Sequence, residues 1–144
     1  MRIPLAALAA LACIACAPTH HAPEFIATTS GPARPFSPAV RANGFLILSG
    51  QIGTDSSGKL VPGGIRAETR QTMENIRAVL LRNGSSLDRV VKCTVFLADI
   101  KDYDAFNEIY ISYFRARRPA RSAMAASGLA LGARVEIECM AVTG

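Results

Sequence analysis

The sequence predicts an α+β fold in two layers, a sheet of roughly four to six strands with two helices packed on one face. Three observations lead there. Short apolar runs at FLILSGQIG, VVKCTVFLADI and RVEIECMAV have the length and alternation of strands. Two longer segments between them repeat their apolar residues every three or four positions, as helices do. The resulting order is strand, hairpin or loop, helix, strand, helix, strand, strand, with too few helices to cover both faces of a sheet. With 144 residues, 50% of them apolar and 19% charged, the chain is long enough for one domain with a core and is not a disordered, solvating one.

The opening MRIPLAALAALACIACAPTHHA has the form of an export signal. Arg2 and the amino terminus supply a short positive region, and Ile3 to Ala17 form an apolar run too short to span a bilayer comfortably. Ala15-Cys16-Ala17 is a small-x-small site. Residues 1–17 are therefore expected to be a signal peptide, 18–30 an N-terminal linker and 31–144 the folded domain. The expected location is periplasmic or secreted, with no stable membrane span. A lipid anchor on Cys13 or Cys16 is the competing route. These two cysteines have CxxC spacing, but inside an apolar leader no folded scaffold sets a thiol pKa, so no redox site is read there. His20 and His21 lack clustered partners, and no metal or other cofactor is expected.

After the Pro- and Ser-rich TTSGPARPFSPAV, a first core strand ends at Ser49-Gly50, and TDSSGKLVPGG reads as a turn region around a minor strand or loop. From about Ile65, the stripe Thr69, Met73, Ile76, Leu80 predicts an amphipathic helix, with Glu68, Arg70, Glu74 and Arg77 between and Asn83-Gly84 as its stop. A strand over Arg89 to Leu97 is expected to turn Val91, Cys93 and Val95 to one face and Lys92, Thr94 and Phe96 to the other. Asp102 or Asp99 caps a second helix whose buried stripe is Tyr103, Phe106, Ile109 or Tyr110, and Tyr113 or Phe114, before Pro119. ARSAMAA and ARVEIECMAV complete the chain as two strands, expected to form a hairpin across SGLALG. Cys93 and Cys139 both fall in strands; an oxidising compartment permits a bond between them, but buried free thiols are the simpler expectation. The uncovered sheet face, in so apolar a chain, favours subunits closing on one another.

The net charge of +5 and the arginines 115, 117 and 118 are diluted by acids throughout the domain, and the sequence has no Trp for base stacking, so no nucleic-acid partner is expected. No P-loop, Rossmann glycine pattern, HExxH or GxSxG is present; Gly50-Gln51-Ile52-Gly53 and Pro62-Gly63-Gly64 read as turns. The constellation with chemical content is Arg121 with Glu136. Read as neighbours in adjoining strands, they have two meanings: Arg121 is satisfied internally by Glu136 or Glu138, or its planar fork is offered to a substrate carboxylate and Glu136 is left to hold a water or move a proton. Ser49 either donates to a ligand or satisfies a local carbonyl, and Asn107 either serves a ligand or subunit contact or binds a loop.

FLILSGQIG, the NxxY of the second helix, RPARSAM and VEIECMAV, in this order and spacing, resemble the reactive intermediate deaminase family, also called the imine deaminase or endoribonuclease L-PSP family, over about Gly31 to Val142. The resemblance implies a fold like the trimeric type of chorismate mutase, three sheets closing into a central barrel with sites in the clefts between subunits. It implies hydrolysis of 2-imino or enamine acids such as 2-aminoacrylate and 2-iminopropanoate to 2-oxoacids and ammonia. Arg121 corresponds to the carboxylate clamp, Glu136 to the residue on the attacking water, and Ser49 and Asn107 to cleft residues. Two positions depart: Phe36 stands where the family has tyrosine, and Ala123 where it has cysteine. The loss of the hydroxyl at Phe36 keeps a noncatalytic carboxylate binder or chaperone-like trimer as the alternative. RNA cleavage, which the family's other name suggests, is disfavoured by the absence of a basic stripe and of a histidine in the domain.

Overall fold

The structure, a computed structural model, describes residues 22–28, 34–114 and 116–143. The expected signal peptide, with Cys13 and Cys16, lies outside the described residues, as do His20, His21 and Arg115. The strands are β1 (Glu24–Phe25), β2 (Ala39–Ala42), β3 (Phe45–Leu48), β4 (Gln51–Ile52), β5 (Val90–Leu97), β6 (Ala120–Ala125) and β7 (Val135–Val142); the helices are α1 (Gly64–Arg82) and α2 (Tyr103–Tyr110). They make one sheet in the order β1-β2-β3-β7-β5-β6, with β4 also on β7. The expected linker is thus not wholly a tether, because Glu24 and Phe25 pair with Arg41 and Val40.

The first helix follows its sequence pattern closely. Thr69, Met73, Ile76 and Leu80 are all buried. At its end Gly84 adopts φ +74°, which lets Ser85 N–H reach the Leu80 carbonyl at 2.9 Å and Gly84 N–H the Leu81 carbonyl at 3.2 Å. Glu68 departs from the pattern. Placed between the apolar positions, it is nevertheless only 6% exposed, and its carboxylate accepts the Arg134 N–H at 2.8 Å, fixing the approach to β7 against α1. Ahead of α2, Asp99 caps the single 3-10 turn Ile100–Asp102 by accepting the Lys101 N–H at 2.9 Å, and Asp102, at the N-cap position of α2, makes no side-chain cap bond. Asp102 instead accepts from Nε and Nη2 of Arg134 at 2.9 and 2.6 Å.

Three expectations about the strands are corrected. Val91 does not face the core: a register shift between Val90 and Lys92 turns Val90 inward at 8% exposure and leaves Val91 at 41%. The last two strands are not a hairpin. Helix α2 carries the chain back over the sheet, so β6 runs parallel to β5, and β7 then pairs antiparallel with β5 on its other side. Cys93 and Cys139, expected as free thiols, are directly opposite across β5 and β7 with Cα atoms 4.1 Å apart, and the structure joins them in a disulfide.

Both helices pack on the face that carries Leu46, Leu48, Cys93, Val95, Leu97, Val135, Ile137 and Ala141, with Met73, Ile76, Leu80, Phe106, Tyr110 and Phe114 opposite them in a single core. The other face presents Phe45, Ile47 and Met124, all exposed, together with Lys92, whose Nζ donates to Ser122 Oγ at 2.8 Å. Nothing in the described chain covers it.

Candidate functional site

Arg121 is the second residue of β6, at the edge of the sheet, in register with Cys93 and so on the helical face. Its guanidinium carbon lies 5.5 Å from the ring centroid of Tyr103, 5.3 Å from Phe106 and 4.8 Å from Tyr110. Three aromatic rings of α2 thus cradle one cation, an arrangement that restrains it without neutralising it. Nη2 donates to Tyr103 Oη at 3.0 Å. Among the described residues no carboxylate lies within ion-pair distance of Arg121. Burial pushes the Tyr110 hydroxyl up to about 12, against a smaller opposing effect from the charge of Arg121, so it stays a neutral phenol at physiological pH.

Two further residues lie on the same two elements, β6 and α2. Ala123 follows on the same face of β6, in register with Val95 and packed in part against the core. Asn107 sits on α2 one position after Phe106; its Oδ1 is buried and has no hydrogen-bond partner among the described residues. A buried acceptor without a donor costs stability unless something else supplies one, which sets Asn107 apart from an ordinary structural amide.

Glu136 lies elsewhere. It is in register with Phe96 on one side and Ile52 on the other, so it points to the uncovered face of the sheet. Arg121 and Glu136 are therefore not neighbours, as the hairpin reading required: β5 runs between their strands and their side chains leave opposite faces. Pairing of the two within the chain is ruled out by this topology. The Glu136 carboxyl is held above the ordinary glutamate value, first by burial and second by the like charge of Glu138.

What holds Glu136 is the break between β3 and β4. A Cβ on Gly50 would come within 2.0 Å of Glu136 Oε1, so the carboxylate rests against the bare Cα of that glycine. Gly50, read from the sequence as a turn glycine, is the residue sequence reasoning missed; the available signal was a glycine interrupting two apolar strand segments. Gln51 folds back on the same break, its Nε2 donating to the carbonyls of Ser49 at 3.0 Å and Gly50 at 3.2 Å. Ser49 spends its proton locally: its hydroxyl donates to the Ser37 carbonyl at 2.6 Å, and its N–H to Pro38 O at 3.0 Å. Of the two readings of Ser49, this bond is the local one, and it ties down the segment that carries Phe36. Phe36 itself is exposed, with the Arg34 guanidinium 5.8 Å from its ring.

The chain thus carries Arg121 and Ala123 on the helix-covered face of the sheet, with Asn107 on the helix that also supplies the rings around Arg121, and Glu136 against Gly50 on the open face. A cavity of about 470 Å³ is lined by Ile26, Arg34, Gln51 and Arg82 among others, and by neither Arg121 nor Glu136. Among the described residues no three His, Cys, Asp or Glu side chains cluster as metal ligands, and no helix is long and apolar enough to cross a membrane.

The profile of the endoribonuclease L-PSP family matches residues 27–143. The mouse protein 2-iminobutanoate/2-iminopropanoate deaminase is 46% identical over 122 residues, covering 83% of this chain and 90% of its own. Among solved structures, yeast Mmf1 superposes with a TM-score of 0.80 at 36% identity, covering 85% of this chain and all of its own. TdcF of E. coli with bound serine gives a TM-score of 0.77 at 29% identity, covering 84% of this chain and all of its own.

Proposed function

The chain belongs to the endoribonuclease L-PSP family and is a deaminase-type hydrolase, and we propose that it converts small 2-imino acids and their enamine tautomers to 2-oxoacids and ammonia. The observation that carries this reading is Arg121: a guanidinium held over three rings, given a hydroxyl but no carboxylate by its own described chain. Such a group is suited to an incoming carboxylate. The serine bound to TdcF is likewise a small acid with nitrogen on C2, which supports that choice of ligand for this chain.

The two half-sites become one across a subunit boundary. In a homotrimer whose sheets close into a barrel, the open face with Phe45, Ile47 and Met124 is buried, and Glu136 of one subunit faces Arg121 of the next. The chemistry then asks little of the protein. Protonation of an enamine at carbon gives the iminium, and Arg121 fixes its carboxylate. Water adds to C2 as the Glu136 carboxylate accepts one of its protons. That proton passes to the amine; as the C–N bond breaks and ammonia leaves, the hydroxyl on C2 gives its remaining proton to Glu136 and becomes the carbonyl of the 2-oxoacid. Asn107 Oδ1, an acceptor without a donor, is suited to the N–H of the imine or to the water. Gly50 leaves room for the carboxylate to approach, and Ala123 keeps the pocket small. Within its own chain, burial and Glu138 raise the Glu136 pKa, toward the range in which a carboxylate can both take and return a proton, and offset the lowering that a facing Arg121 brings.

The leader-like first 17 residues and the Cys93–Cys139 bond together support export to an oxidising compartment, soluble or lipid-anchored. Phe36, which brings a ring without a donor, favours one second reading, a carboxylate binder without turnover. Decay of 2-iminopropanoate, generated in place by an amino-acid dehydratase, distinguishes the two. The purified protein should accelerate decay, and Arg121→Ala should lower kcat/KM by about a thousandfold through loss of a paired, charge-assisted contact. Decay at the uncatalysed rate with wild-type protein would leave only the binder.

A further inference from the structure

We infer that Tyr103 is a second substrate contact, its hydroxyl forming with Arg121 a two-point clamp for the carboxylate. The inference rests on the deaminase reading and adds a residue to it. Of the three rings around the guanidinium, only two carry hydroxyls, and these differ in access. Tyr110 is 4% exposed, and its hydroxyl is enclosed with no partner among the described residues, whereas Tyr103 is 36% exposed at the first position of α2. Tyr103 Oη accepts from Arg121 Nη2 at 3.0 Å. A phenol that accepts from a cation keeps its own proton for donation, and no described residue takes that proton.

An O–H donor beside an Arg fork, at the mouth of the site, matches an anion with two oxygens. One oxygen takes guanidinium N–H bonds and the other takes the phenol, while the ring remains in place to steady the cation. The hydroxyl thereby discriminates a carboxylate from a neutral amide of the same shape, because the amide has one acceptor oxygen, taken by Arg121, and turns its NH₂ toward the phenol, which gains no bond.

Tyr103→Phe keeps the ring and removes only the hydroxyl. Calorimetric titration of the full mature protein with 2-oxobutanoate should show binding roughly tenfold or more weaker in the variant than in wild type, with KM for imino acids raised more than kcat is lowered. The neutral amide 2-oxobutanamide should bind both proteins equally, and the melting temperature should confirm that the variant is folded. Equal affinity of both proteins for 2-oxobutanoate, with wild type active, would overturn the role of Tyr103 and leave the deaminase reading standing. An equal loss of affinity for the acid and the amide would reduce Tyr103 to a positioning residue and also overturn it. Wild-type protein with neither affinity nor turnover would overturn both.

Discussion

Arg121 is held by side chains and Glu136 by backbone. The cation leans on the rings of Tyr103, Phe106 and Tyr110 from a neighbouring helix, while the carboxylate rests against the bare Cα of Gly50 at a strand break. The cation is enclosed by its own chain, with its face of the sheet closed by helices. The acidic half opens on a face with exposed Phe45, Ile47 and Met124 and has no partner among the described residues. An element complete in itself can be positioned by local packing, and one that looks outward is the one that the proposed trimer would complete.

The largest way to separate the halves chemically is Glu136→Gln. It should lower kcat roughly a hundred- to a thousandfold, the range of a lost general base. It should also carry a stability signature that Arg121 variants lack. The raised carboxyl binds its proton more tightly in the folded than in the unfolded chain, so its stabilising effect is complete below the unfolded glutamate pKa of about 4.3 and is lost as pH rises through the folded value. The Gln variant, which stays neutral, should therefore melt higher than wild type at neutral pH and lose that advantage near pH 4, a range set by the ordinary glutamate value of about 4.3. In the wild type, turnover should rise with pH through the same raised pKa. Melting curves that shift equally at both pH values would place Glu136 in an unperturbed environment.

A smaller effect is expected from Gly50→Ala. The new methyl group would overlap Glu136 Oε1, and displacement of the carboxylate by an ångström or so should cost about a hundredfold in kcat while leaving 2-oxobutanoate affinity at Arg121 nearly intact. Equal losses in binding and turnover would mean that the two halves are not held independently.

The smallest effect on turnover is expected at the disulfide. Cys93 and Cys139 lie under the helices, and their bond spans a sequence separation of 46 residues. Converting both to alanine should reduce stability by roughly 2–4 kcal/mol while leaving kcat unchanged at temperatures where the variant is folded. Intact-mass analysis of protein from an oxidising compartment should show the two thiols absent. A Cys93→Ala, Cys139→Ala protein as stable as wild type would remove the bond from the account of the fold.

Much of this molecule could be read from local pattern. The stripe Thr69, Met73, Ile76, Leu80, the Asn83-Gly84 stop and the two-layer class all depend on neighbours a few positions apart, and they appear as expected. The misreadings share a different cause. Which strand lies beside β7, whether Val90 or Val91 faces inward, and whether Cys93 meets Cys139 are settled by partners far away in sequence, and a single bulge reverses the faces of the residues beyond it. The burial of Glu68 was not legible because its acceptor role depends on the Arg134 N–H, 66 positions away. In the site, residue types pointed to Arg121 and Glu136, but strand neighbourhood placed them together in one subunit, where the topology keeps them apart. Gly50 was read as a turn because nothing local shows that a carboxylate lies on it.

Subunit mixing tests most directly whether the two half-sites are shared. Arg121→Ala and Glu136→Gln proteins, each inactive alone, can be denatured together and reassembled in equal amounts. If each site takes its cation from one subunit and its carboxylate from the next, random assembly restores both groups in about a quarter of the sites, and about a quarter of wild-type turnover should return. Mixed assemblies that form and remain inactive would contradict a site completed across the subunit boundary.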